Sequence, residues 1–259
     1  MKKEQMPLRP SLTELSDKMQ RTTRANAVTM LHLDAERLNE INVTKPIAKQ
    51  KWKHAIVTVG GGRGFIVEGK DDIRFIITAG HCLPQLPDSF PAAGTDERTY
   101  HRLIGRLDAE PTISAECIFV DPVSDVAVLA APDSQEFSTE AEEYETLVTT
   151  CQEPLQVGGF LFDQQRRKFS PALPAASNTA WLMSLKGKWF SCNISSRGRG
   201  LWITDATDAI RGGMSGSPIM AAGGAIGVVS VAEGKGLEGG PNPELAVNLP
   251  VWIARTLTP

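Results

Sequence analysis

The sequence is poor in cysteine and aromatic residues, and it has no long apolar run. No stretch approaches the about 18 apolar residues that a membrane-spanning helix needs, and no apolar core of a signal peptide follows Met1-Lys2-Lys3. No CxxC spacing occurs, which argues against a metal site. We therefore expect a cytoplasmic protein with no membrane partner, no metal and no cofactor. The four cysteines allow three complete disulfide pairings, but we expect reduced, buried thiols at Cys82, Cys117, Cys151 and Cys192.

Glycine and proline are frequent, with 23 and 17 residues in a chain of 259. This composition suits many short strands joined by turns better than long helices. The net charge of −3 conceals an asymmetry, because residues 1–55 hold eleven Lys or Arg against six Asp or Glu. Those basic residues are scattered among acids and form no polybasic run, so we predict no nucleic-acid partner.

The amino-terminal segment has helical periodicity over residues 11–42. Ser11 and Glu14 have the spacing of a capping box, and a second amphipathic run ends just before Pro46. We predict a helical extension over residues 1–53. We expect this extension either to contact a partner or to mediate self-association.

From residue 54 the pattern changes to short β-rich runs, which predict two strand-rich halves. The first half, 54–132, contains HAIVTVG, GRGFIVEG, IRFIITAG, HRLIGRL, ECIFVD and DVAVLAAP. Residues 133–142 are polar and acidic, which predicts a surface connector. The second half, 143–259, contains strand candidates in ETLVTT, QVGGFLF, TAWLMSLKGKWFSCNI, GLWITD, GSPIMAAG, AIGVVSVA and ELAVNLP, and the terminal VWIARTL predicts a short helix.

Three residues suited to nucleophilic catalysis lie at the ends of these runs. His81 closes Ile76-Ile77-Thr78-Ala79-Gly80, Asp125 begins the apolar run Val126-Ala127-Val128-Leu129, and Ser215 lies among glycines in Gly212-Gly213-Met214-Ser215-Gly216-Ser217-Pro218. A histidine can take and return a proton near neutral pH, and a carboxylate can fix its tautomer. A serine becomes nucleophilic when such a base removes its proton. Each residue alone also fits a structural role.

Together, TAGHC, DVAVL and GGMSGSP resemble the histidine, aspartate and nucleophile motifs of the trypsin/chymotrypsin-like serine peptidases, in the same chain order. The resemblance covers residues 54–255. It implies an all-β fold of two six-stranded antiparallel barrels, with the amino-terminal helical extension and the short carboxy-terminal helix added. It also implies a hydrolase whose catalytic triad is His81, Asp125 and Ser215.

The resemblance further implies an oxyanion hole made by the main-chain N–H groups of Gly213 and Ser215. Met214 stands where digestive-type members have an aspartate that pairs with a newly cut amino terminus, so we expect no zymogen switch of that kind. No cysteine precedes Cys82, and Arg211 lies about where the family has another cysteine. The usual disulfides are therefore missing, which agrees with a cytoplasmic location and a bacterial type of the family.

Residue counting from the nucleophile motif places Ala209 at the floor of the specificity pocket. Ser230, Val231 and Ala232 lie on its wall, which implies a small or medium apolar side chain before the scissile bond. A shift of one residue would bring Asp208 to the floor and favour Lys or Arg instead.

Three functions are compatible with these residues. The leading prediction is an endopeptidase acting on proteins or peptides through an acyl-enzyme. The alternatives are a catalytically silent binding or regulatory module with a protease-like fold, and a self-processing protease restricted to one partner.

Overall fold

A computed structural model of the protein describes residues 51–87, 94–158, 160–163, 168–171, 179–221, 224–232 and 236–257, and describes only the backbone of 160–163 and 168–171. All of these residues belong to one compact unit, Thr44–Pro259. The predicted helices of residues 11–42 lie outside the described residues.

The first half forms a closed antiparallel barrel of six strands. Their spatial order is β1-β2-β3-β6-β5-β4, with β1 paired to both β2 and β4. Each of the six strand candidates before residue 132 forms one of these strands. The strands are β1 (Ile56–Val59), β2 (Gly62–Glu68), β3 (Arg74–Thr78), β4 (Thr99–Arg106), β5 (Ile113–Asp121) and β6 (Val126–Ala130).

The barrel is held by apolar, largely β-branched residues, which pack well on a pleated surface. Phe65, Ile76, Ile77, Val128 and Leu129 have no exposed surface. Complete burial of one such side chain contributes about 1.5 to 3 kcal/mol. This core fixes the ends of β3 and β6.

The structure corrects the prediction of a strand in ETLVTT, and a helix begins within the predicted connector at 133–142. After the short α1 (Thr95–Arg98), the chain forms helix α2 (Ser138–Thr149) across this region. Its buried residues are Ala141, Tyr144, Leu147 and Val148, three or four positions apart on one helical face. The glutamates between them concealed that spacing. The Tyr144 hydroxyl donates to the Leu129 carbonyl at 3.1 Å, which attaches the helix to the barrel.

The second half forms a curled, antiparallel six-stranded sheet in the order β13-β12-β9-β10-β11-β14. A single bridge between Gly227 and Glu244 connects the regions of its two edge strands. A hairpin of β7 (Phe160–Asp163) and β8 (Lys168–Pro171) precedes it. The six strands are β9 (Thr179–Met183), β10 (Trp189–Arg197), β11 (Gly200–Thr204), β12 (Pro218–Ala221), β13 (Gly224–Val228) and β14 (Gly239–Pro243). The predicted all-β class with two six-stranded units is confirmed.

Two predictions near the carboxyl end have different outcomes. The run ELAVNLP is not a strand, because Leu245–Asn248 forms helix α3, in which Asn248 N–H donates to the Glu244 carbonyl. The unpredicted β14 lies just before it in a Gly- and Pro-rich segment. The predicted terminal helix is confirmed as α4 (Val251–Thr256). Among the described residues, no helix has the length and apolar character needed to cross a bilayer.

Candidate active site

His81 lies just beyond the end of β3, in a single 3-10 turn over Gly80–Cys82. Its side chain is half exposed, and its Nδ1 lies 2.7 Å from Asp125 Oδ2. The main-chain N–H of His81 donates to the other carboxylate oxygen, Oδ1, at 2.8 Å. Asp125 therefore holds both the ring and the backbone of the histidine, which fixes the direction of the imidazole.

Asp125 has a left-handed backbone conformation, with φ of +56°, and β6 begins at the next residue. The turn before it is closed by Asp121 Oδ1, which accepts the N–H groups of Val123 and Ser124. This turn aims the Asp125 carboxylate at His81 instead of into the strand ladder.

The third donor to Asp125 is the hydroxyl of Ser230, which donates to Oδ2. Ser230 follows β13, and its N–H donates to the side-chain oxygen of the buried Asn242 at 2.7 Å. Sequence reasoning gave Ser230 a place on the pocket wall and missed this bond to the acid. A serine after an apolar strand carries no sequence signal for such a partner.

The segment around Ser215 is a tight loop that depends on two glycines. Met214 N–H donates to the Arg211 carbonyl at 3.1 Å, which closes a turn whose third residue, Gly213, has φ of +86°. Gly216 has φ of +81°, and a Cβ there would lie 1.7 Å from the Arg63 carbonyl oxygen. No other residue type fits at Gly216 without moving the first barrel.

Ser215 is held where the two sheets meet. Its carbonyl oxygen accepts the Arg63 N–H at 2.7 Å. A Cβ on Gly62 would lie 2.6 Å from that same oxygen and 2.7 Å from Cys82 Sγ, so the nucleophile loop packs beside the turn that carries His81. Ser215 and His81 are both among the described residues, and no hydrogen bond joins the Ser215 hydroxyl to His81.

The acid and the nucleophile loop are also connected through Val229, the neighbour of Ser230. Gly216 N–H donates to the Val229 carbonyl at 2.7 Å, and Val229 N–H donates to the Ser217 carbonyl at 2.9 Å. One short segment therefore bonds to the Ser215 loop through its backbone and to Asp125 through its side chain.

The two predicted oxyanion donors are not used elsewhere in the part of the chain that the structure describes. Neither Gly213 N–H nor Ser215 N–H donates a hydrogen bond to another described residue. Leu185, which is 42% exposed, lies beside this turn, with its Cδ2 3.4 Å from the place of a Gly213 Cβ. The turn thus offers two free main-chain donors next to an apolar side chain.

Met214 points away from the loop into the core of the second sheet, where it is 1% exposed. Its sulfur accepts the Arg211 N–H at 3.4 Å. A thioether in an apolar core is favourable without any charged partner. The loop is therefore anchored by burial where digestive-type members use an ion pair.

The predicted pocket residues lie on two segments that meet at Gly239. A Cβ there would lie 3.4 Å from Ile210 Cδ1 and 3.6 Å from Ala232 Cα. Ala209 is half-buried, with its Cβ 3.6 Å from the place of a Gly236 Cβ. Ile210 N–H donates to the Gly236 carbonyl, which holds the two segments together.

Two residues named in the pocket prediction, Asp208 and Val231, make local hydrogen bonds. Asp208 is exposed, and its carboxylate accepts the N–H of Ala209 at 2.7 Å. Val231 is 36% exposed, and its N–H donates to Asn242 at 3.0 Å. The acid that a shift of one residue would place in the pocket is thus bonded to its own main chain.

The four cysteines are buried, and none of them forms a disulfide. Burial raises the pKa of the Cys117 and Cys192 thiols to about 12, and it also raises the pKa of Cys82. Gly62 lies directly against Cys82 Sγ. Because glycine has no thiol, Cys82 has no possible disulfide partner at this contact. Within the described ranges, no group of three or more His, Cys, Asp or Glu residues could hold a metal ion.

Comparison with known proteins gives matches only among solved structures. No protein-family model matches the sequence. No curated protein matches it either. The solved structures include a human pathogenic astrovirus serine protease, 14% identical with a TM-score of 0.43 over 74% of this chain and 90% of its own.

Two further structures have similar statistics. The serine protease domain of the Sesbania mosaic virus polyprotein is 13% identical, with a TM-score of 0.45 over 76% of this chain and 92% of its own. A serine endoprotease from Yersinia pestis is 16% identical, with a TM-score of 0.41 over 75% of this chain and 61% of its own. The closed six-stranded barrel and the curled six-stranded sheet are the two β units that the resemblance to the chymotrypsin-like serine proteases implies.

Proposed function

We propose that this protein is a serine endopeptidase that cleaves peptide bonds through an acyl-enzyme, with His81, Asp125 and Ser215 as its triad. The observation that carries the proposal is the set of hydrogen bonds on Asp125. Its carboxylate binds the His81 ring, the His81 N–H and the Ser230 hydroxyl at the junction where Ser215 is also held. A purely structural aspartate in a turn needs none of these three donors.

In this mechanism Asp125 accepts a hydrogen bond from His81 Nδ1–H, which leaves the unprotonated Nε2 to act as the base. Ser215 Oγ attacks the substrate carbonyl carbon while Nε2 takes the hydroxyl proton. The carbonyl oxygen becomes an oxyanion, which accepts hydrogen bonds from the N–H groups of Gly213 and Ser215. The C–N bond then breaks, and the leaving amine takes the proton from His81.

The second half of the cycle uses the same groups with water as the nucleophile. His81 removes a proton from water, the hydroxide attacks the acyl carbon, and the ester bond to Ser215 breaks as its oxygen recovers the proton. The proposal requires the Ser215–His81 hydrogen bond to form when substrate binds. Such bonds are often long in substrate-free enzymes and tighten in the complex.

For the substrate we propose a protein or peptide with a small or medium apolar side chain before the scissile bond. Ala209 with Val231 and Ala232 would line the pocket, and Ile210 Cδ1 lies 3.4 Å from the place of a Gly239 Cβ beside them. The Asp208 carboxylate is exposed and bonded to the Ala209 N–H. A peptide-library profile tests this: cleavage after Lys or Arg would show that the assignment of Ala209 is wrong.

A fluorophosphonate probe, which reacts with activated serines, tests the catalytic proposal. We expect labelling of the wild-type chain and none of Ser215→Ala. Ser217→Ala is the matched control, because Ser217 is a buried serine in the same loop and its hydroxyl has no partner among the described residues. Labelling should persist in that variant.

The other outcomes separate the alternative functions. A folded wild-type chain that takes up no label would contradict the peptidase and favour a binding or regulatory module. A chain that labels at Ser215, leaves the library intact and loses part of residues 1–53 by mass would favour self-processing.

A further inference from the structure

Arg63 on β2 is a buried cation that the proposed mechanism does not use. Its side chain is 4% exposed, yet the nearest carboxylate is that of Asp108, 58% exposed, with an oxygen 3.6 Å from Nη2. Burial lowers the pKa of the Arg63 guanidinium, while Asp108 opposes the shift. Arginine nevertheless stays charged in proteins. Because burying a charge costs free energy, the guanidinium needs hydrogen-bond partners inside the protein.

The other contacts of the guanidinium cross to the second sheet. Nη1 donates to the carbonyl of Met183 at 3.0 Å and to that of Ser184 at 3.2 Å. These residues begin the turn between β9 and β10. That turn also carries Leu185, which packs beside Gly213. The Arg63 side chain thus holds the segment that packs against the Arg211–Met214 turn.

The backbone of Arg63 contacts the nucleophile segment itself, at Ser215 and Gly216. Its N–H donates to the Ser215 carbonyl at 2.7 Å, and its own carbonyl oxygen accepts the Thr78 hydroxyl at 2.6 Å. Gly216 packs directly on that carbonyl oxygen. Arg63 therefore bonds directly to the Ser215 end of the nucleophile segment, and its side chain bonds the turn whose Leu185 lies beside the Gly213 end.

From these contacts we infer that Arg63 is a positioning residue, which fixes the Gly213–Ser215 segment relative to His81 by tying the first barrel to the Ser215 end and to the turn that carries Leu185. The inference rests on the proposed peptidase activity for its effect on rate, but not for its effect on the loop. Lysine should replace the function only in part, because Nη1 makes both carbonyl bonds while Nη2 faces Asp108, and a lysine has a single nitrogen for these three partners.

The test compares Arg63→Met and Arg63→Lys with the control Arg106→Met, which removes an exposed arginine from the same barrel. Hydrogen exchange is measured on peptides covering 184–188 and 211–217, with 113–130 as an internal reference. We expect faster exchange in the first two segments of both Arg63 variants, and unchanged exchange in 113–130 and in Arg106→Met.

Kinetics supply the second readout. A small displacement of catalytic groups can cost about 100-fold in rate. We therefore expect kcat and the labelling rate of Arg63→Met to fall about 100-fold with little change in KM, and Arg63→Lys to lie between it and wild type. If Arg63→Met does not fold, Arg63→Lys decides by the same two measurements.

The outcomes distinguish the two proposals. Unchanged exchange at 184–188 and 211–217 in a folded Arg63 variant would overturn the positioning role, as would a wild-type labelling rate. A wild-type chain that does not label contradicts the peptidase, and the exchange data still decide whether Arg63 fixes the loop.

Discussion

The two halves of this protein hold their proposed catalytic groups in different ways. The first barrel is closed, and it holds His81 and Asp125 by side-chain hydrogen bonds at the ends of β3 and β6. The second sheet is curled but not closed by a ladder, and it holds Ser215 by backbone bonds and two glycines with positive φ. Side-chain identity therefore dominates in the first half, and backbone geometry dominates in the second.

The largest effect should come from the first half, on removal of the base. We expect His81→Ala to lower kcat about a million-fold, because Ser215 then has no group to accept its proton. His101→Ala is the control, since His101 lies on β4 of the same barrel. Equal activity of His81→Ala and wild type would remove His81 from the mechanism.

Replacing the acid should have the next largest effect. Asp125→Asn keeps the shape but favours the wrong imidazole tautomer, for which a loss of about 10,000-fold in kcat is expected. The measurement is single-turnover hydrolysis of a chromogenic ester across pH 6 to 10. A loss of kcat under tenfold would show that Asp125 stabilises its own turn and does not orient His81 for catalysis.

The second half is tested through its backbone. Gly216→Ala places a methyl group 1.7 Å from the Arg63 carbonyl oxygen if nothing moves, so the loop must shift. We expect at least about a 100-fold loss in labelling rate. Gly198→Ala is the control, because Gly198 also has positive φ but has open space around it. A similar labelling rate in both variants would contradict the geometric account.

The connection between the halves should matter less. Ser230→Ala removes one donor to Asp125, and a hydrogen bond to a charged group contributes about 1.5 to 3 kcal/mol. We expect a fall of about 10- to 100-fold in kcat with KM little changed. Restored activity in Ser230→Thr would support the hydroxyl as the cause.

The smallest effects concern the thiols. In the folded chain at pH 8 we expect almost no reaction of the four cysteines with a disulfide reagent, and four reactive thiols in denaturant. Since the folded pKa of Cys117 and Cys192 is raised to about 12, unfolding favours their ionisation, and stability is lost as pH rises from about 9 toward 12. The free energy of unfolding, measured with urea, should fall from pH 8 to pH 10 in the wild-type chain. It should fall less in the double variant Cys117→Ala, Cys192→Ala. A rapid reaction of the folded protein would contradict the burial.

The strand pattern and the three motifs could be predicted from sequence because they are local signals. Apolar β-branched runs bounded by Gly, Pro and Asp correspond to β1–β6. Helix α2 was missed because glutamates separate its buried residues, so its period is visible only on one face. Segment β14 was missed because a Gly- and Pro-rich strand lacks local propensity and depends on pairing with β11.

The partners of the site could not be predicted, because they depend on contacts between distant parts of the chain. Ser230 reaches Asp125 across 105 positions, and Arg63 reaches Met183 across 120. Neither residue differs in type or spacing from an ordinary surface serine or arginine. Only the packing of the two sheets gives them their contacts.

The distance between His81 Nε2 and Ser215 Oγ in a complex with a peptide boronate tests the account most directly. A crystal structure of that complex should show the two atoms about 2.6 to 3.2 Å apart, with a boronate oxygen accepting from Gly213 and Ser215. A complex in which the inhibitor occupies the site while the two atoms stay too far apart to share a proton would contradict the proposed mechanism.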